Sequence, residues 1–466
     1  MMLDQRQLDK AIRRLNSVIG KEKVFTEEYY LSLYSFDSTK IFFKPDAVIF
    51  PESEIDVVRI AQVASEYKIP IVARGSGTSR SGGPLPICGG FVICFARMNK
   101  IKEIDRINMV AVVEPGVITQ ELNNEVAKYG LYYPPDPSSV KVSTIGGNIS
   151  HNAGGIHAVK YGVTKNYLLG LRVVTVDGRV LRLGGKVLKS VVGYDIMRLI
   201  AGSEGTLALI TEAILRLIPK PQTRVLFVIP FFEEYGWIDV LLKIYESGVL
   251  PCSIEFMDKE CISVNRRARE FSELKKEDIQ SIVFIELDGQ PESVLSESKK
   301  VKEILSSFNI TDVIFSDDVH EIEDIWDIRR DVSPSLNLLG GYKIADDISV
   351  PLSSLRDTVH ELRRFAHENS FRIAIFGHAG DSNLHVNFIF GSKEEMEKNF
   401  EKIMKSITDI VVRYGGSISG EHGVGFLKKG YSEEELDTNA LEVMKQLKRL
   451  FDPHNLLNPM KIFKDC

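Results

Sequence analysis

The segment PPDPSSVKVSTIGGNISHNAGG, residues 134–155, constrains the fold more than any other part of the chain. It places rigid prolines beside small and polar turn-forming residues and two pairs of glycines. Proline fixes the backbone and glycine lets another group approach it closely. A plain surface connection explains this composition poorly, and we expect a ligand to approach the backbone here.

Two further glycine-rich stretches accompany this segment. ARGSGTSRSGG (73–83) follows the apolar strand IPIVA, and its glycines would let successive N–H groups converge on an anion. It is neither a P-loop, which ends in Gly-Lys-Ser/Thr, nor a dinucleotide fingerprint, because Arg80 replaces the third glycine and no helix follows. Alone it fits a surface turn equally well. In GSEGTLALIT (202–211), Glu204 stands between glycines before a buried strand, and a solvated turn is the alternative.

The distribution of glycine and proline indicates two domains, 1–220 and 221–466. Glycine is frequent up to about residue 220, where IPKPQTR (218–224) places two prolines after a strand-like run. Beyond it, 352–370 and 397–416 are predicted amphipathic helices. Each is followed by a predicted strand, RIAIFGH and SISGEH respectively, and this alternation predicts an α+β fold.

Composition and charge exclude several classes of protein. A formal charge of −6 without a basic run is unsuited to nucleic acid, so we expect no nucleic-acid partner. No window approaches the ~18 apolar residues of a membrane span, and the charged N-terminus lacks a signal segment, so a cytoplasmic location is expected. The cysteines are scattered without a CxxC pair, which disfavours a zinc ribbon, an iron–sulfur cluster or a disulfide scaffold. They are Cys88, Cys94, Cys252, Cys261 and Cys466.

Two histidines, His378 and His385, flank a small polar turn in the apolar run FGHAGDSNLHVNFIF. One histidine in such a strand is more often a core residue than a ligand. The turn, however, can bring the second histidine back beside the first, and GGSISGEHGVG (415–425) adds Glu421 between glycines. Two imidazoles and a carboxylate leave coordination positions open for substrate, as in catalytic Zn²⁺, Mn²⁺ or Fe²⁺ sites. We predict that these three residues bind a divalent metal.

A base and a carboxylate-binding group would complete such a site. His422, next to Glu421, is suited to removing a hydroxyl proton whose acidity the metal has raised, although a buried structural role is the alternative. WDIRRDVSPS (326–335) offers Arg329 and Arg330, one of which could pair with a substrate carboxylate. Adjacent helical positions point about 100° apart, so only one would face the site, and the helix alone does not choose between them.

The three glycine-rich stretches together resemble the FAD-binding domain of the vanillyl-alcohol oxidase family, with its para-cresol methylhydroxylase (PCMH) type fold, over about residues 40–220. Some members attach the flavin through a histidine or cysteine in the first loop, which here has neither, so the resemblance implies non-covalent FAD. It assigns the pyrophosphate to Arg74, Gly75, Ser76, Gly77, Thr78 and Ser79, and the rest of the flavin site to Pro134, Asp136, Ser143, Gly146, Gly147, Asn148, Asn152, Gly154, Gly155, Glu204 and Thr206.

The motifs GHxGDxNLH, GEHGxG and FDPHNLLNPMKIF (451–463) resemble the FAD-linked oxidase C-terminal domain of D-lactate dehydrogenases, glycolate oxidase catalytic subunits and D-2-hydroxyglutarate dehydrogenases. Ser382 departs from the glycine of most relatives. The last residues are expected to return to the flavin through Asn458. Ser333 and Lys343 lie near positions that grip a distal carboxylate in the hydroxyglutarate enzymes, but different spacing after Lys343 disfavours a dicarboxylate. The resemblance further implies Arg329 as carboxylate ligand, Asn387 as a polar substrate contact and His422 as base.

The sequence therefore predicts an FAD- and metal-dependent dehydrogenase of a D-2-hydroxy acid, D-lactate or a close homologue such as glycolate. The α-hydrogen would leave as hydride to flavin N5, giving the 2-oxo acid. No nicotinamide site is evident, so the expected electron acceptor is a quinone, a cytochrome, an electron-transfer flavoprotein or an iron–sulfur subunit. A homodimer and membrane association through a partner are also open. The alternatives are an O₂-using oxidase, a non-catalytic flavin subunit and a metallohydrolase without flavin.

Overall fold

The computed structural model describes residues 5–464, so Cys466 lies outside the described part. Two compact units divide the chain. Unit 1 comprises Met1–Gly154, Val163–Lys220 and Glu421–Cys466, and unit 2 comprises Gly155–Gly162 and Pro221–Gly420. Residues 421–466 thus group with the N-terminal unit. The predicted division into 1–220 and 221–466 concerns family domains and stays a prediction. The compact units follow other boundaries, because residues 155–162 group with unit 2 and residues 421–466 group with unit 1.

The helices are mostly short, and α14 is the longest of those described. In chain order they are α1 (Gln5–Ile19), α2 (Glu28–Leu33), α3 (Glu54–Tyr67), α4 (Thr119–Ala127), α5 (Ile145–His151), α6 (Ala158–Tyr161), α7 (Ile196–Ile200), α8 (Gly236–Glu246), α9 (Lys259–Val264), α10 (Pro291–Ser307), α11 (Val319–Arg330), α12 (Val332–Ser335), α13 (Leu355–Glu368), α14 (Lys393–Arg413), α15 (Ser432–Glu435) and α16 (Thr438–Phe451). No helix among residues 5–464 combines the length and the apolar character of a membrane span.

Unit 1 contains two principal sheets and a short ribbon. The order β1-β2-β4-β3 includes parallel pairs, whereas β5-β6-β10-β8-β9 is antiparallel, and β7 pairs with β11. Helices α1 and α3 pack on the first sheet through a core that includes Leu15, Ile60 and Phe91. The strands are β1 (Val24–Phe25), β2 (Ala47–Ile49), β3 (Ile71–Arg74), β4 (Phe91–Cys94), β5 (Ile101–Asp105), β6 (Val110–Val113), β7 (Leu131–Tyr132), β8 (Leu168–Val174), β9 (Val180–Gly184), β10 (Leu209–Arg216) and β11 (Ile218–Pro219).

Unit 2 is built on one seven-stranded antiparallel sheet of order β15-β12-β14-β13-β17-β18-β16. Helix α11 lies over it, with Trp326 stacked on Phe284 in the core. The strands are β12 (Thr223–Phe231), β13 (Ser253–Asp258), β14 (Ser281–Gly289), β15 (Ile314–Ser316), β16 (Tyr342–Ser349), β17 (Arg372–His378) and β18 (Asn383–Phe390).

One predicted strand is wrong. The predicted helices correspond to α13 and α14, and RIAIFGH is β17, but SISGEH makes only the bridge from Ser417 to Ser349. The Ser417 side chain instead donates to the Ser419 carbonyl, and Gly415 and Gly423 adopt positive φ of 70° and 78°. These local turns compete with a ladder. Glu421 and His422 therefore lie on a loop rather than at a strand end.

Candidate functional site

A cavity of about 360 Å³ lies within unit 1, a size in the usual range for ligand sites. All three glycine-rich stretches line it, as does the loop carrying Glu421 and His422. The predicted flavin residues in its wall are Arg74, Gly75, Ser76, Gly77, Thr78, Ser79, Ser143, Gly146, Gly147, Asn148 and Glu204. The structure thus brings together three stretches that are separate in sequence, 73–83, 134–155 and 202–211, while the role of each residue stays a prediction.

The remaining predicted flavin residues lie outside this wall among the described residues: Pro134, Asp136, Asn152, Gly154, Gly155, Thr206 and Asn458. Several of them hold the loops in shape instead. The Asn458 amide donates to the carbonyls of Gly83 and Glu204, at 2.9 and 2.7 Å. The Thr206 hydroxyl donates to the Ser203 carbonyl at 2.7 Å. Gly155 belongs to unit 2.

Several wall residues were missed by the sequence reasoning. Thr144 caps α5 by accepting a hydrogen bond from the Gly147 N–H at 3.2 Å, which aims the start of this helix. His151 ends the same helix, and no hydrogen-bond partner is present for its buried Nδ1 within residues 5–464. A hydroxyl residue before a glycine pair was the available signal for the cap. The other wall residues that were not predicted are Ser38, Ala73, Arg80, Gly83, Pro84, Phe95, Pro115, Pro137, Ser138, Ser139, Val142, Ser150, Ala153, Gly205, Ala208 and Ile210.

The surroundings of Arg74 fit a flavin pyrophosphate. Its side chain is buried, burial lowers the pKa of its guanidinium, and its Nη1 has no hydrogen-bond partner among the described residues. Gly77, at φ +75°, approaches so closely that a Cβ there would lie 2.2 Å from Arg74 Nη2. A buried cation with an unsatisfied donor in a glycine-lined wall suits an anion. These residues therefore fit FAD, whose diphosphate is such an anion.

Glu204 fixes the loop that carries the predicted base. Its backbone is left-handed, at φ +52°, and its two carboxylate oxygens accept from the N–H groups of Val424 and Gly425, at 2.7 and 2.9 Å. The Ser81 hydroxyl donates to the His422 carbonyl at 2.9 Å. The first and third glycine-rich stretches thus both bind the 421–425 loop, so that Glu421 and His422 have a defined place in the cavity wall.

In unit 2, sheet register gathers the other predicted residues on one face. His378 pairs with Asn383, and His385 pairs with Asp347 on its other side. Residues two apart in a strand point to the same side. Asn387 therefore shares the face of His385, and Lys343 that of Asp347. The two histidine rings are 5.2 Å apart in an edge-on arrangement.

A buried carboxylate connects His378 with Arg329. Glu255, on β13, is fully buried, and its Oε1 lies 2.6 Å from His378 Nδ1. Its Oε2 lies 2.7 Å from Arg329 Nη2, and the Arg329 guanidinium stacks 4.8 Å from the Phe376 ring. The structure therefore brings the predicted carboxylate ligand beside a predicted metal ligand. Glu255 was not predicted, because the strand SIEFMD contains no glycine or histidine that would indicate a functional site.

Arg330 has a different environment from Arg329. It is exposed and pairs with Glu323 and Asp327, at 2.8 and 3.0 Å. Only one of the two arginines therefore lies on the face of the histidines, and it is the one that the family resemblance selects.

The other two predicted substrate residues have hydrogen bonds within the protein. Lys343 donates to the Ser333 carbonyl at 2.9 Å, and the Asn387 amide donates to the His385 carbonyl at 3.2 Å.

Glu421 follows unit 2 directly in the chain. Gly420, the last residue of that unit, lies so close to Asn383 that a Cβ there would lie 2.0 Å from its amide nitrogen. Asn383 is the strand partner of His378. Gly420 therefore lies next to the strand partner of His378 within unit 2. Two imidazoles and a carboxylate are a donor set that suits a divalent cation.

Comparisons with known proteins agree with this picture. The family model described as FAD binding domain matches residues 45–184, and that described as FAD linked oxidases, C-terminal domain, matches 218–462. The chain is 39% identical to the glycolate oxidase subunit GlcD of Bacillus subtilis, over 97% of this chain and 96% of that protein. It is 32% identical to a D-lactate dehydrogenase of Anaerostipes hadrus, over 95% of each chain. Identity is also 32% to a D-2-hydroxyglutarate dehydrogenase of Stutzerimonas stutzeri, over 97% and 98%.

Solved structures confirm the predicted fold. The crystal structure of p-cresol methylhydroxylase with substrate bound aligns with a TM-score of 0.78 at 17% identity, covering 99% of this chain and 98% of that one. The predicted combination of a PCMH-type FAD-binding domain with an FAD-linked oxidase C-terminal domain is confirmed by this likeness and by the two family models. The chain belongs to the family of FAD-linked oxidases.

Proposed function

We propose that the protein oxidises a D-2-hydroxy acid to the 2-oxo acid, with FAD and a divalent cation. The observation that supports this most is the pairing of Arg329 and His378 on one carboxylate. Arg329, the proposed ligand of the substrate carboxylate, then lies beside His378, a proposed ligand of the metal that binds the substrate α-hydroxyl. The names of the relatives, glycolate oxidase subunit and D-lactate dehydrogenase, support a small 2-hydroxy acid.

Each residue has a proposed part in the reaction. Arg329 binds the carboxylate, His378, His385 and Glu421 hold the cation, and Asn387 contacts the substrate. A divalent cation, when bound, supplies positive charge that lowers the pKa of the substrate hydroxyl. His422 takes the hydroxyl proton. FAD, when bound, accepts the α-hydrogen with its electron pair, which leaves a carbon–oxygen double bond in the product.

A short monocarboxylate fits better than a dicarboxylate. Lys343, the residue proposed for a second carboxylate, already donates to the Ser333 carbonyl at 2.9 Å. A distal carboxylate would have to displace that bond. We therefore propose D-lactate or a close homologue, glycolate included, with Lys343 bounding the substrate.

The reduced flavin must be reoxidised by a non-nicotinamide acceptor. The glycolate oxidase relative is named as a subunit, which supports a partner protein such as an electron-transfer flavoprotein or an iron–sulfur subunit. A quinone is the small-molecule alternative. A cytoplasmic location, contact with a membrane through a partner, and a homodimer all stay proposals.

Anaerobic bleaching of the flavin absorbance near 450 nm tests the reaction, since that absorbance is the cofactor's own property. We expect D-2-hydroxy acids to bleach it, their L-enantiomers not to, and chelation to stop the bleaching. If no hydroxy acid bleaches the flavin, the proposed reaction is wrong. If bleaching survives complete metal removal, the role of the cation is wrong. Admitting air afterwards distinguishes an O₂-using oxidase, which reoxidises at once.

A variant pair tests the proposed base. His422→Ala should abolish bleaching while FAD stays bound. His454→Ala, which changes another histidine of unit 1 outside the cavity wall, is the matched control. Bleaching at the wild-type rate in the first variant would assign the base to another residue.

A further inference from the structure

We infer that Glu255 is a positioning residue that couples cation binding at His378 to carboxylate binding at Arg329. This inference rests on the proposed function, but concerns a residue that contacts neither substrate nor cation in it. Glu255 lies at the centre of the seven-stranded sheet, on β13 between β14 and β17, and is fully buried. A buried carboxylate must be paired to be tolerated.

The contact with His378 fixes which ring nitrogen can bind a cation. Glu255 Oε1 lies 2.6 Å from His378 Nδ1. A carboxylate oxygen facing an imidazole nitrogen at this distance suits the tautomer in which Nδ1 donates, and this is the tautomer of the inference. Nε2 is then unprotonated and presents its lone pair. Acceptors on the far nitrogen of a ligating histidine also make the ring more basic and fix its orientation.

The contact with Arg329 fixes the guanidinium in a second direction. Glu255 Oε2 lies 2.7 Å from Arg329 Nη2, while the guanidinium carbon stacks 4.8 Å from the Phe376 ring centre. Arg329 Nε has no hydrogen-bond partner among residues 5–464. The edge and the face of the guanidinium are thus held by protein, which leaves donors for the carboxylate of a ligand.

One carboxylate shared by two groups couples them. With a cation held at Nε2, the Nδ1–H of His378 would be a stronger donor to Glu255, and Arg329 would then be able to share its charge with an incoming carboxylate. By linkage the effect is reciprocal, so a bound carboxylate strengthens cation binding. Neither effect survives if the shared group is neutral.

The test compares Glu255→Gln with Asp258→Asn. The amides keep the shape and one acceptor oxygen but remove the charge. Asp258 is a matched control, because it is also buried on β13 and accepts a hydrogen bond from the Cys261 N–H at 3.1 Å at the start of α9. Zn²⁺ affinity is measured on the FAD-loaded protein by competition with a chelator, with and without propionate, a carboxylate probe that has no α-oxygen to bind the cation. Melting temperature and flavin content are followed in parallel.

We expect Glu255→Gln to weaken Zn²⁺ binding about 10–100-fold, the range for loss of a partner of a ligating histidine. Propionate should tighten Zn²⁺ binding in the wild type and in Asp258→Asn, but not in Glu255→Gln. Equal Zn²⁺ affinity in all three proteins overturns the positioning role and leaves the proposed function intact. A wild type that binds no Zn²⁺, Mn²⁺ or Fe²⁺ overturns the proposed cation itself.

A measurement on the unaltered protein keeps the inference testable if the variant does not fold. ¹⁵N-histidine NMR of the metal-free wild type should show His378 protonated at Nδ1 and unprotonated at Nε2, the resonance being assigned by its absence in His378→Gln. A proton on Nε2 instead would contradict the inference.

Discussion

Arg329 and Arg330 are adjacent in sequence but differ in burial and in the charges around them. Arg329 is 8% exposed and contacts Glu255 and Phe376, whereas Arg330 is exposed and pairs with Glu323 and Asp327. Removing one partner of a buried ion pair costs about 3–5 kcal/mol, whereas exposed ion pairs contribute about 0–1 kcal/mol. The same substitution at the two positions should therefore have different consequences.

Lysine replacements test this difference. Lysine retains the charge but not the planar fork that a carboxylate binds at two points. Arg329→Lys should raise KM for the hydroxy acid about 10–100-fold, which corresponds to the loss of one such charged hydrogen bond. Arg330→Lys should leave KM unchanged in steady-state assays. A larger effect at Arg330 would contradict the assignment of the carboxylate to Arg329.

Lys461 is a buried lysine with a depressed pKa. Its side chain is 2% exposed, and its Nζ donates to the Leu85 carbonyl at 2.7 Å and to Asn458 Oδ1 at 3.2 Å. Burial disfavours the charged form and lowers the pKa of Lys461 to about 7. In the unfolded chain it stays protonated up to about pH 10.4. The unfolded state therefore holds one more proton between these values.

Stability of unit 1 should consequently rise with pH above 7. Linkage gives a contribution of up to about 1.4 kcal/mol per pH unit from this lysine, reached fully only between the two pKa values. The measurement is the urea concentration at which flavin fluorescence is released, from pH 6.5 to 9. The stability of Lys461→Met should change less with pH over this range. An identical pH dependence in the two proteins would show that the lysine is not neutral in the folded state.

At the scale of elements, the turn between β17 and β18 has a serine at a position whose backbone conformation favours glycine. Ser382 occupies it at φ +58°, is 1% exposed, and its hydroxyl has no hydrogen-bond partner among the described residues. Ser370, after α13, has nearly the same φ of 57° but is exposed. The left-handed region costs a residue with a Cβ roughly 1–2 kcal/mol relative to glycine, so both positions should accept glycine.

Ser382→Gly should stabilise unit 2 by about 1 kcal/mol more than Ser370→Gly, because it also removes a buried unsatisfied hydroxyl. Tryptophan fluorescence during urea unfolding reports on this unit, since both tryptophans of the chain, Trp237 and Trp326, lie in it. Equal shifts in the two variants would indicate that the Ser382 hydroxyl carries no cost.

The sequence predicted those elements whose signal is local. Helices α13 and α14 follow from apolar periodicity, and β17 from an apolar run ending at His378. SISGEH failed because strand formation depends on an available partner edge, which a short window does not contain. Glu255 was not found because its function depends on pairing with residue 378, more than 120 positions away. The register between strands that are distant in sequence cannot be predicted from a single sequence.

At the scale of the whole molecule, residues 421–464 complete unit 1 rather than extend unit 2. Glu204 binds Val424 and Gly425, and the Asn458 amide joins the Gly83 and Glu204 carbonyls. The cavity of unit 1 thus depends on contacts of residues 424, 425 and 458 with Gly83 and Glu204. Asn458 itself lies outside the cavity wall, but its loss removes the amide donor from the buried carbonyls of two wall residues, Gly83 and Glu204.

Asn458→Ala should therefore loosen flavin binding indirectly. We expect about 1–3 kcal/mol of lost stability for the unpaired groups, seen as flavin release at lower urea. Asn439→Ala, at the exposed start of α16, is the control. Flavin retention equal to that of the wild type would mean that the 202–206 turn holds its shape alone.

The division of the chain also sets an order of events during synthesis. Unit 2 is complete once residue 420 has left the ribosome, whereas the wall of the unit 1 cavity includes residues 421 and 422 and is braced by residue 458. A nascent chain can therefore form its seven-stranded sheet while the wall of the unit 1 cavity is still incomplete. FAD should be acquired only after translation has reached the last few residues, so a ribosome-stalled chain ending near residue 430 would be folded in part and colourless.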